Sequence, residues 1–433
     1  RSFPSVQIGE RSCAPAAFRF RLFTRCRLVL VRGSLIRTKM AAVPVSVASS
    51  KTSVRVPLRC MARLAHSQPC ARQPRQFQPH QVSSAPARAS PAWQGMWQRT
   101  TRTSASAASV EVPTSPSDGS FAEVKPSVAF FFPGQGAQSV GMCASVCEEV
   151  PAAKTLFSKA SEVLGYDLLD VCINGPADKL NSTAVSQPAI FVASMAAVEQ
   201  LRQQEGGQEI IDSCNVAAGL SLGEYTALCF AGAISFEDGL KIVKARGEAM
   251  QAAADARPTA MCSVIGLKAD KVAELCAAAT AEAGEGESVQ IANFLCNGNY
   301  AVSGSVKAIE VLEQKAKPEF KARMTVRLAV AGAFHTTYMD SAVAKLSEVL
   351  SETEISAPRI PVYSNVDAKA HSDPEVIKSI LAMQVTSPVQ WETTLGGLLD
   401  DGLESSYELG PGKVVAGIMK RINKKHAVNN ITV

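Results

Sequence analysis

Acidic side chains are almost missing from the first 110 residues of this 433-residue chain, where 18 lysines and arginines face a single acid, Glu10, for a net charge of +17. The rest carries 26 basic and 38 acidic residues, a net charge of −12, so the overall +5 conceals an acidic body behind a basic leader. Long apolar runs are lacking too. The Leu28-Val29-Leu30-Val31 stretch is hemmed in by Arg27 and Arg32, and no stretch approaches the roughly 18 uninterrupted apolar residues of a membrane helix, so no helical span is expected. There is no C-x-x-C pair: of 12 cysteines four lie in the leader, and the other eight are scattered through apolar or helical surroundings. That argues against a disulfide frame or a zinc site and for buried thiols in a reducing compartment such as a stroma or matrix. Histidine is scarce, with only His335, His371 and His426 beyond the leader.

A leader rich in Arg, Ser and Ala, poor in acids and without hydrophobic periodicity reads as an organelle transit peptide, here residues 1–119. Arg1 is not a start residue, whereas Met40-Ala41-Ala42 begins a plausible one, which leaves residues 1–39 as candidate untranslated upstream sequence. That start and the Ser/Thr-rich stretch at 100–110 favour the plastid stroma, with the mitochondrial matrix as the alternative. A basic nucleic-acid-binding arm would have to work without a folded reader, so no nucleic-acid partner is expected.

From about residue 120 the pattern becomes that of a folded α/β protein. Val128-Ala129-Phe130-Phe131-Phe132 is a continuous apolar run suited to a fully buried parallel strand, ending at Pro133-Gly134-Gln135-Gly136. Helical patterns follow at about 141–148, 152–164 and 188–204. Then comes Asn215-Val216-Ala217-Ala218 running into Gly219-Leu220-Ser221-Leu222-Gly223 and a helix-forming segment from Glu224 to Phe230. This is G-x-S-x-G in a strand-turn-helix context, with two glycines permitting a sharp reversal. Such an elbow lifts the serine hydroxyl clear of the sheet beside helix N-terminal N–H groups, and Ser221 is the candidate nucleophile.

Residues 257–329 read as strand, helix, two strands, helix and strand, the βαββαβ order of a ferredoxin-like unit. It reads as an insertion, because buried α/β character resumes at Ile360-Pro361-Val362-Tyr363-Ser364 and at Ser406-Tyr407-Glu408-Leu409-Gly410. The catalytic core is therefore assigned to 120–256 and 330–433, with a substrate cleft expected between the two parts. A nucleophilic serine needs a base. His426 lies in a polar tail and His371 in a turn, whereas His335 follows Ala329-Val330-Ala331-Gly332-Ala333-Phe334, small and apolar residues returning from the insertion to the core. His335 is the candidate base. The elbow helix runs outward for about ten residues, roughly 15 Å; Ser235 and Asp238 then form a capping-box pattern opening a helix at about 236–254. If that helix returns antiparallel, Arg246 lands level with Ser221, where its guanidinium could grip a carboxylate through two parallel hydrogen bonds. A solvent-facing arginine on an amphipathic helix is the competing reading.

These motifs, together with Phe132-Pro133-Gly134-Gln135-Gly136-Ala137-Gln138, Ser387-Pro388-Val389-Gln390-Trp391 and Glu408-Leu409-Gly410-Pro411-Gly412-Lys413, resemble the malonyl-CoA:acyl carrier protein transacylases in type and order over about residues 127–425. The resemblance implies an α/β-hydrolase-like parallel-sheet core with an inserted ferredoxin-like subdomain. It further implies a Ser221–His335 dyad, an oxyanion hole from the amides of Gln135 and Leu222, and Arg246 on the malonyl carboxylate. Gln390 falls at the position whose carbonyl orients the histidine. Many members carry His just before the nucleophile; Leu220 stands there in this chain and cannot serve as an accessory donor. Malonyl-CoA and acyl carrier protein are the implied partners, no cofactor or metal is implied, and a monomer is expected. A serine hydrolase or thioesterase would share the elbow but hand the acyl group to water; a non-catalytic carrier-binding subunit would not need the dyad.

Overall fold

The computed structural model describes Phe121 and residues 123–433; the basic leader, with its candidate start at Met40, lies outside the described residues. The body begins with β1 (Val128–Phe132), then α1 (Ala144–Glu149), α2 (Pro151–Leu164), α3 (Leu168–Asn174), α4 (Ala177–Asn181), α5 (Thr183–Gln203) and α6 (Gly207–Ser213). The short α3, α4 and α6 are additions to the helices that periodicity announces. β2 (Val216–Gly219) enters the elbow, α7 (Leu222–Phe230) leaves it, and α8 (Phe236–Ala256) returns. Ser235 caps α8, its hydroxyl accepting from the Asp238 amide at 3.1 Å.

The inserted unit follows as β3 (Thr259–Ile265), α9 (Ala269–Ala283), β4 (Val289–Cys296), β5 (Asn299–Ser305), α10 (Val306–Ala316) and β6 (Met324–Arg327). Its strands form an antiparallel sheet in the order β4-β5-β3-β6, the ferredoxin-like arrangement. Alternation along the strands divides its faces. Cys262, Val264, Tyr300 and Val302 pack with Leu275, Ile309 and Leu312 of the two helices. Met261, Ser263 and Ala301 point the other way, onto the cavity described below.

The chain then completes the core with α11 (Asp340–Glu352), β7 (Val362–Tyr363), α12 (Pro374–Gln384), α13 (Trp391–Asp400), β8 (Ser405–Leu409), α14 (Val414–Ile422) and β9 (Val428–Ile431). Five parallel strands run in the order β7-β2-β1-β8-β9. β1 lies at the centre and is covered on both sides, which is why it is apolar at every position. Phe130 and Phe132 belong to the cluster built with α2, α5, α7 and α8, whereas Ala129 and Phe131 belong to the one built with α13 and α14. Thr183–Gln203 is buried nearly all round, as expected of a helix inside a large core. Gly247 lets α8 approach it: a Cβ there would lie 2.7 Å from the Thr183 carbonyl oxygen. The C-terminal segment is not the loose polar tail that its composition suggests, because β9 pairs with β8 and His426 Nε2 sits 2.8 Å from Ser406 Oγ in the sheet. Among the described residues no helix is long and apolar enough to cross a membrane.

Candidate active site

The elbow is built by clearance. A Cβ on Gly219 would lie 1.8 Å from the Gly223 carbonyl carbon, and one on Gly223 would lie 2.1 Å from the Phe132 carbonyl oxygen. Neither glycine has the positive φ that a glycine-driven reversal would use; the reversal falls on Ser221 itself, at φ 52° and ψ −103°. Side chains rarely adopt that region, and holding one there costs on the order of 1–3 kcal/mol. The neighbouring loop must also come close, since a Cβ on Gly134 would be 2.4 Å from the Leu220 carbonyl oxygen. The strain is held by distant contacts: the Ser221 amide donates to Asn365 Oδ1 at 2.6 Å, and the Ser221 carbonyl accepts from Gln384 Nε2 at 3.0 Å.

His335 arrives from β6 through Gly332-Ala333-Phe334, also at positive φ (61°), and its amide donates to the Val385 carbonyl at 3.1 Å. Its Nε2 lies 2.9 Å from Ser221 Oγ and its Nδ1 lies 2.8 Å from the Gln384 carbonyl oxygen. A carbonyl only accepts, so Nδ1 carries the proton and the bare Nε2 faces the serine hydroxyl. Burial, reinforced by the nearby Arg246 charge, holds the imidazole down at about 4. It is therefore neutral, and ready to take a proton, around pH 7.

Arg246 lies level with the serine on the returning helix and is 1 % exposed. Nη2 donates to Ser221 Oγ at 3.1 Å and to Gln384 Oε1 at 2.8 Å, while Nη1 donates to Gln187 Oε1 at 2.7 Å. Its guanidinium sits 5.2 Å from the Tyr225 ring centroid. Nε is buried without a hydrogen-bond partner, and among the described residues no carboxylate makes an ion pair with it. A buried charge whose hydrogen bonds all go to neutral side chains carries a desolvation cost that an incoming carboxylate would relieve; that burial also lowers the guanidinium's pKa.

These three groups open on a cavity of about 200 Å³. Gln135, Leu220 and Leu222 line its core side, Met261, Ser263, Asn293 and Leu295 its small-sheet side, and Val414 and Ile418 of α14 close it. Leu222 is the first residue of α7, so its amide belongs to the N-terminal turn whose N–H groups find no partner within the helix. Leu220 gives the cavity an apolar wall. Glu408 holds α14 in position, its two oxygens accepting from the Val415 and Ala416 amides at 2.9 Å each. The other two histidines are elsewhere: His371 pairs with Asp367 at 2.9 Å and His426 with Ser406.

One assignment needs correcting. The carbonyl on His335 Nδ1 belongs to Gln384, not Gln390. The Gln390 carbonyl instead accepts from the Thr394 amide at 3.0 Å and opens α13. Its neighbours explain why: Val389 exchanges backbone hydrogen bonds with Ala292 and Phe294 of the small sheet, and Trp391 packs edge-on to Phe131 in the core. That motif ties the two units together rather than serving the histidine. Gln384 had its own signal, since Ile377, Ile380, Leu381 and Gln384 share the buried stripe of α12, and an amide on an apolar stripe has a reason to be there. Gln187, Asn365 and Glu224, all buried, complete the set that sequence reasoning did not single out.

An acyl transferase domain family matches residues 129–433. The mouse protein named malonyl-CoA-acyl carrier protein transacylase, mitochondrial, is 40% identical over 302 residues, covering 68% of this chain and 78% of that protein. Among solved structures, an acyl carrier protein S-malonyltransferase from Vibrio cholerae is 39% identical with a TM-score of 0.64, covering 70% of this chain and 96% of that one. A malonyl-transacylase solved in complex with a type II PKS acyl-carrier protein is 34% identical with a TM-score of 0.64, covering 71% and 96%.

Proposed function

Since the chain belongs to the acyl transferase family, we propose that it transfers the malonyl group of malonyl-CoA to the phosphopantetheine thiol of acyl carrier protein, the step that supplies fatty acid synthesis with malonyl units. One observation carries this reading: a serine, a neutral histidine and a buried arginine without an ion-pair partner among the described residues meet at a single cavity. The arginine distinguishes it from a lipase or thioesterase, whose acyl group has no charge to match.

Ser221 Oγ attacks the thioester carbonyl carbon while its proton passes to His335 Nε2. The amides of Gln135 and Leu222 receive the oxyanion, as in other oxyanion holes where preset donors meet developing charge. Collapse expels coenzyme A, which leaves as the thiol with the proton from His335, and a malonyl-serine ester remains. The carrier's thiol then gives its proton to His335, its sulfur attacks the ester, and Ser221 recovers its proton. Thioester is exchanged for thioester through an ester, a redox-neutral sequence that calls for no cofactor. Arg246 holds the malonyl carboxylate throughout.

The body is acidic, as acyl carrier proteins are, so a local basic patch must guide the encounter. Lys413, Lys420, Arg421, Lys424 and Lys425 are exposed on or beside α14, whose Val414 and Ile418 wall the cavity. Reversing charge at Lys420 and Arg421 is expected to raise the KM for acyl carrier protein severalfold; an unchanged KM removes this docking face. The basic leader serves as an organelle-targeting segment. The name of the mouse relative weighs towards the mitochondrial matrix and the leader's start towards the plastid stroma; a fluorescent fusion of residues 40–120 separates them. The activity itself is tested with radiolabelled malonyl-CoA and holo carrier protein. Label is expected on the carrier with wild type and not with Ser221→Ala; label released to water, or acetyl-CoA used as readily as malonyl-CoA, overturns the reading.

A further inference from the structure

Behind the nucleophile lies a carboxyl group that the transfer chemistry does not use. Glu224 is 3 % exposed and stands in the first turn of α7. Its side chain does not cap its own helix. Oε2 instead accepts from Gln384 Nε2 at 2.6 Å and from the Asn365 amide at 3.0 Å. Gln384 in turn touches all three residues of the site: Nε2 meets the Ser221 backbone carbonyl, Oε1 the Arg246 guanidinium, and its backbone carbonyl the His335 ring. The orientation of this amide is fixed, because Arg246 only donates and therefore faces the oxygen, leaving the nitrogen to the Ser221 carbonyl and to Glu224. Asn365 ties in the same way, its side-chain oxygen accepting from the Ser221 amide and its nitrogen donating to the Gly219 carbonyl at 2.7 Å. One carboxyl thus holds both residues that grip the strained elbow.

We propose that Glu224 is a positioning residue for the acyl transfer, and that its ionised form, by anchoring Gln384 and Asn365, sets the Ser221, His335 and Arg246 geometry, so that the activity follows the protonation of Glu224 as well as that of the base. The inference rests on the acyl-transfer reading of the site. An ionised carboxylate makes shorter and stronger hydrogen bonds than a neutral acid, so deprotonation tightens the anchor. The charged groups facing Glu224 are Arg246 from α8, which favours the ionised form, and Asp367 after β7, which opposes it. His371 shares a small cavity with Glu224 and pairs with Asp367. Burial dominates and pushes Glu224 up to about 7, well separated from His335 at about 4.

Gln at 224 is the isosteric test, since its carbonyl oxygen can accept both hydrogen bonds while the group no longer ionises. The kcat/KM profile for malonyl transfer is measured from pH 5 to 8.5 on wild type and Glu224→Gln. Wild type is expected to gain severalfold across an inflection near 7; Glu224→Gln should match it near pH 5.5, lack the inflection and fall behind severalfold at pH 8. An inflection retained by Glu224→Gln, or a wild-type profile flat across that range, overturns the proposal. Melting temperatures give a readout independent of turnover. The folded value of this acid is raised above its unfolded one, so its contribution is present below about 4.5 and lost as pH rises through 7. Wild type should therefore lose melting temperature relative to Glu224→Gln across that window, and parallel curves overturn the assignment. If wild type transfers no malonyl group at all, the functional reading fails and the melting curves still decide whether Glu224 titrates.

Discussion

Two serine–histidine pairs of nearly equal length can be compared among the described residues, and one of the two has the makings of an active site. Ser221 and His335 are 2.9 Å apart, Ser406 and His426 2.8 Å apart. Ser406 is fully buried in the regular strand β8, and neither it nor His426 lines the cavity. Ser221 sits in a strained turn at the head of a helix, beside a guanidinium and open to the cavity, and its histidine is held in one tautomer by a backbone carbonyl. A short contact between hydroxyl and imidazole is thus a common structural hydrogen bond. Access, a fixed tautomer and a partner for the substrate's charge make it a catalytic one.

The contrast can be broken most sharply at the serines. Ser221→Ala is expected to lower transfer by about a thousandfold or more, since the covalent route is lost, and His335→Ala by about 10²- to 10⁴-fold. Transfer that survives Ser221→Ala with the carrier still labelled would mean that Ser221 is not the nucleophile. Arg246→Ala comes next: leaving the malonyl carboxylate buried without its partner costs about 3–5 kcal/mol, roughly a hundredfold to several thousandfold in kcat/KM. Acetyl-CoA turnover should change far less, and equal losses for both acyl groups would remove the selectivity role.

Smaller effects compare the histidines. Burial lowers both, His335 to about 4 and His426 in the same direction. The unfolded chain takes these protons first as pH falls from the ordinary value of 6.5, so native stability is lost between 6.5 and about 4, by on the order of 3 kcal/mol for His335. His335→Gln should flatten that acid loss in thermal melts, and His426→Gln should flatten it less. The smallest effect belongs to Ser406→Ala, with transfer within about twofold of wild type and stability down by about 1 kcal/mol, the net worth of one buried hydrogen bond. A large loss of transfer in that variant would erase the distinction between the pairs.

Features encoded by neighbouring residues were legible before the fold was known. The apolar β1, the elbow between β2 and α7, the Ser235 cap and the βαββαβ order all follow from short-range pattern. Arg246 was reachable because two consecutive helices of known rise bring it back beside the serine. The resemblance places Gln390 at the orienting position by motif alone, whereas the carbonyl that reaches His335 in space is that of Gln384. β9 was missed because a short polar strand at a sheet edge has no periodicity to announce it.

The residues by themselves determined that a serine would stand on a sharp turn at the start of a helix, for backbone sterics and helix geometry act over a few positions. Which carbonyl orients His335, that Gln384 and Asn365 grip Ser221 from 163 and 144 residues away, and that Glu224 anchors both, only the packed structure decided. Hydrogen bonds are short and directional, and the distances between groups so far apart along the chain are fixed only once the core has closed around them.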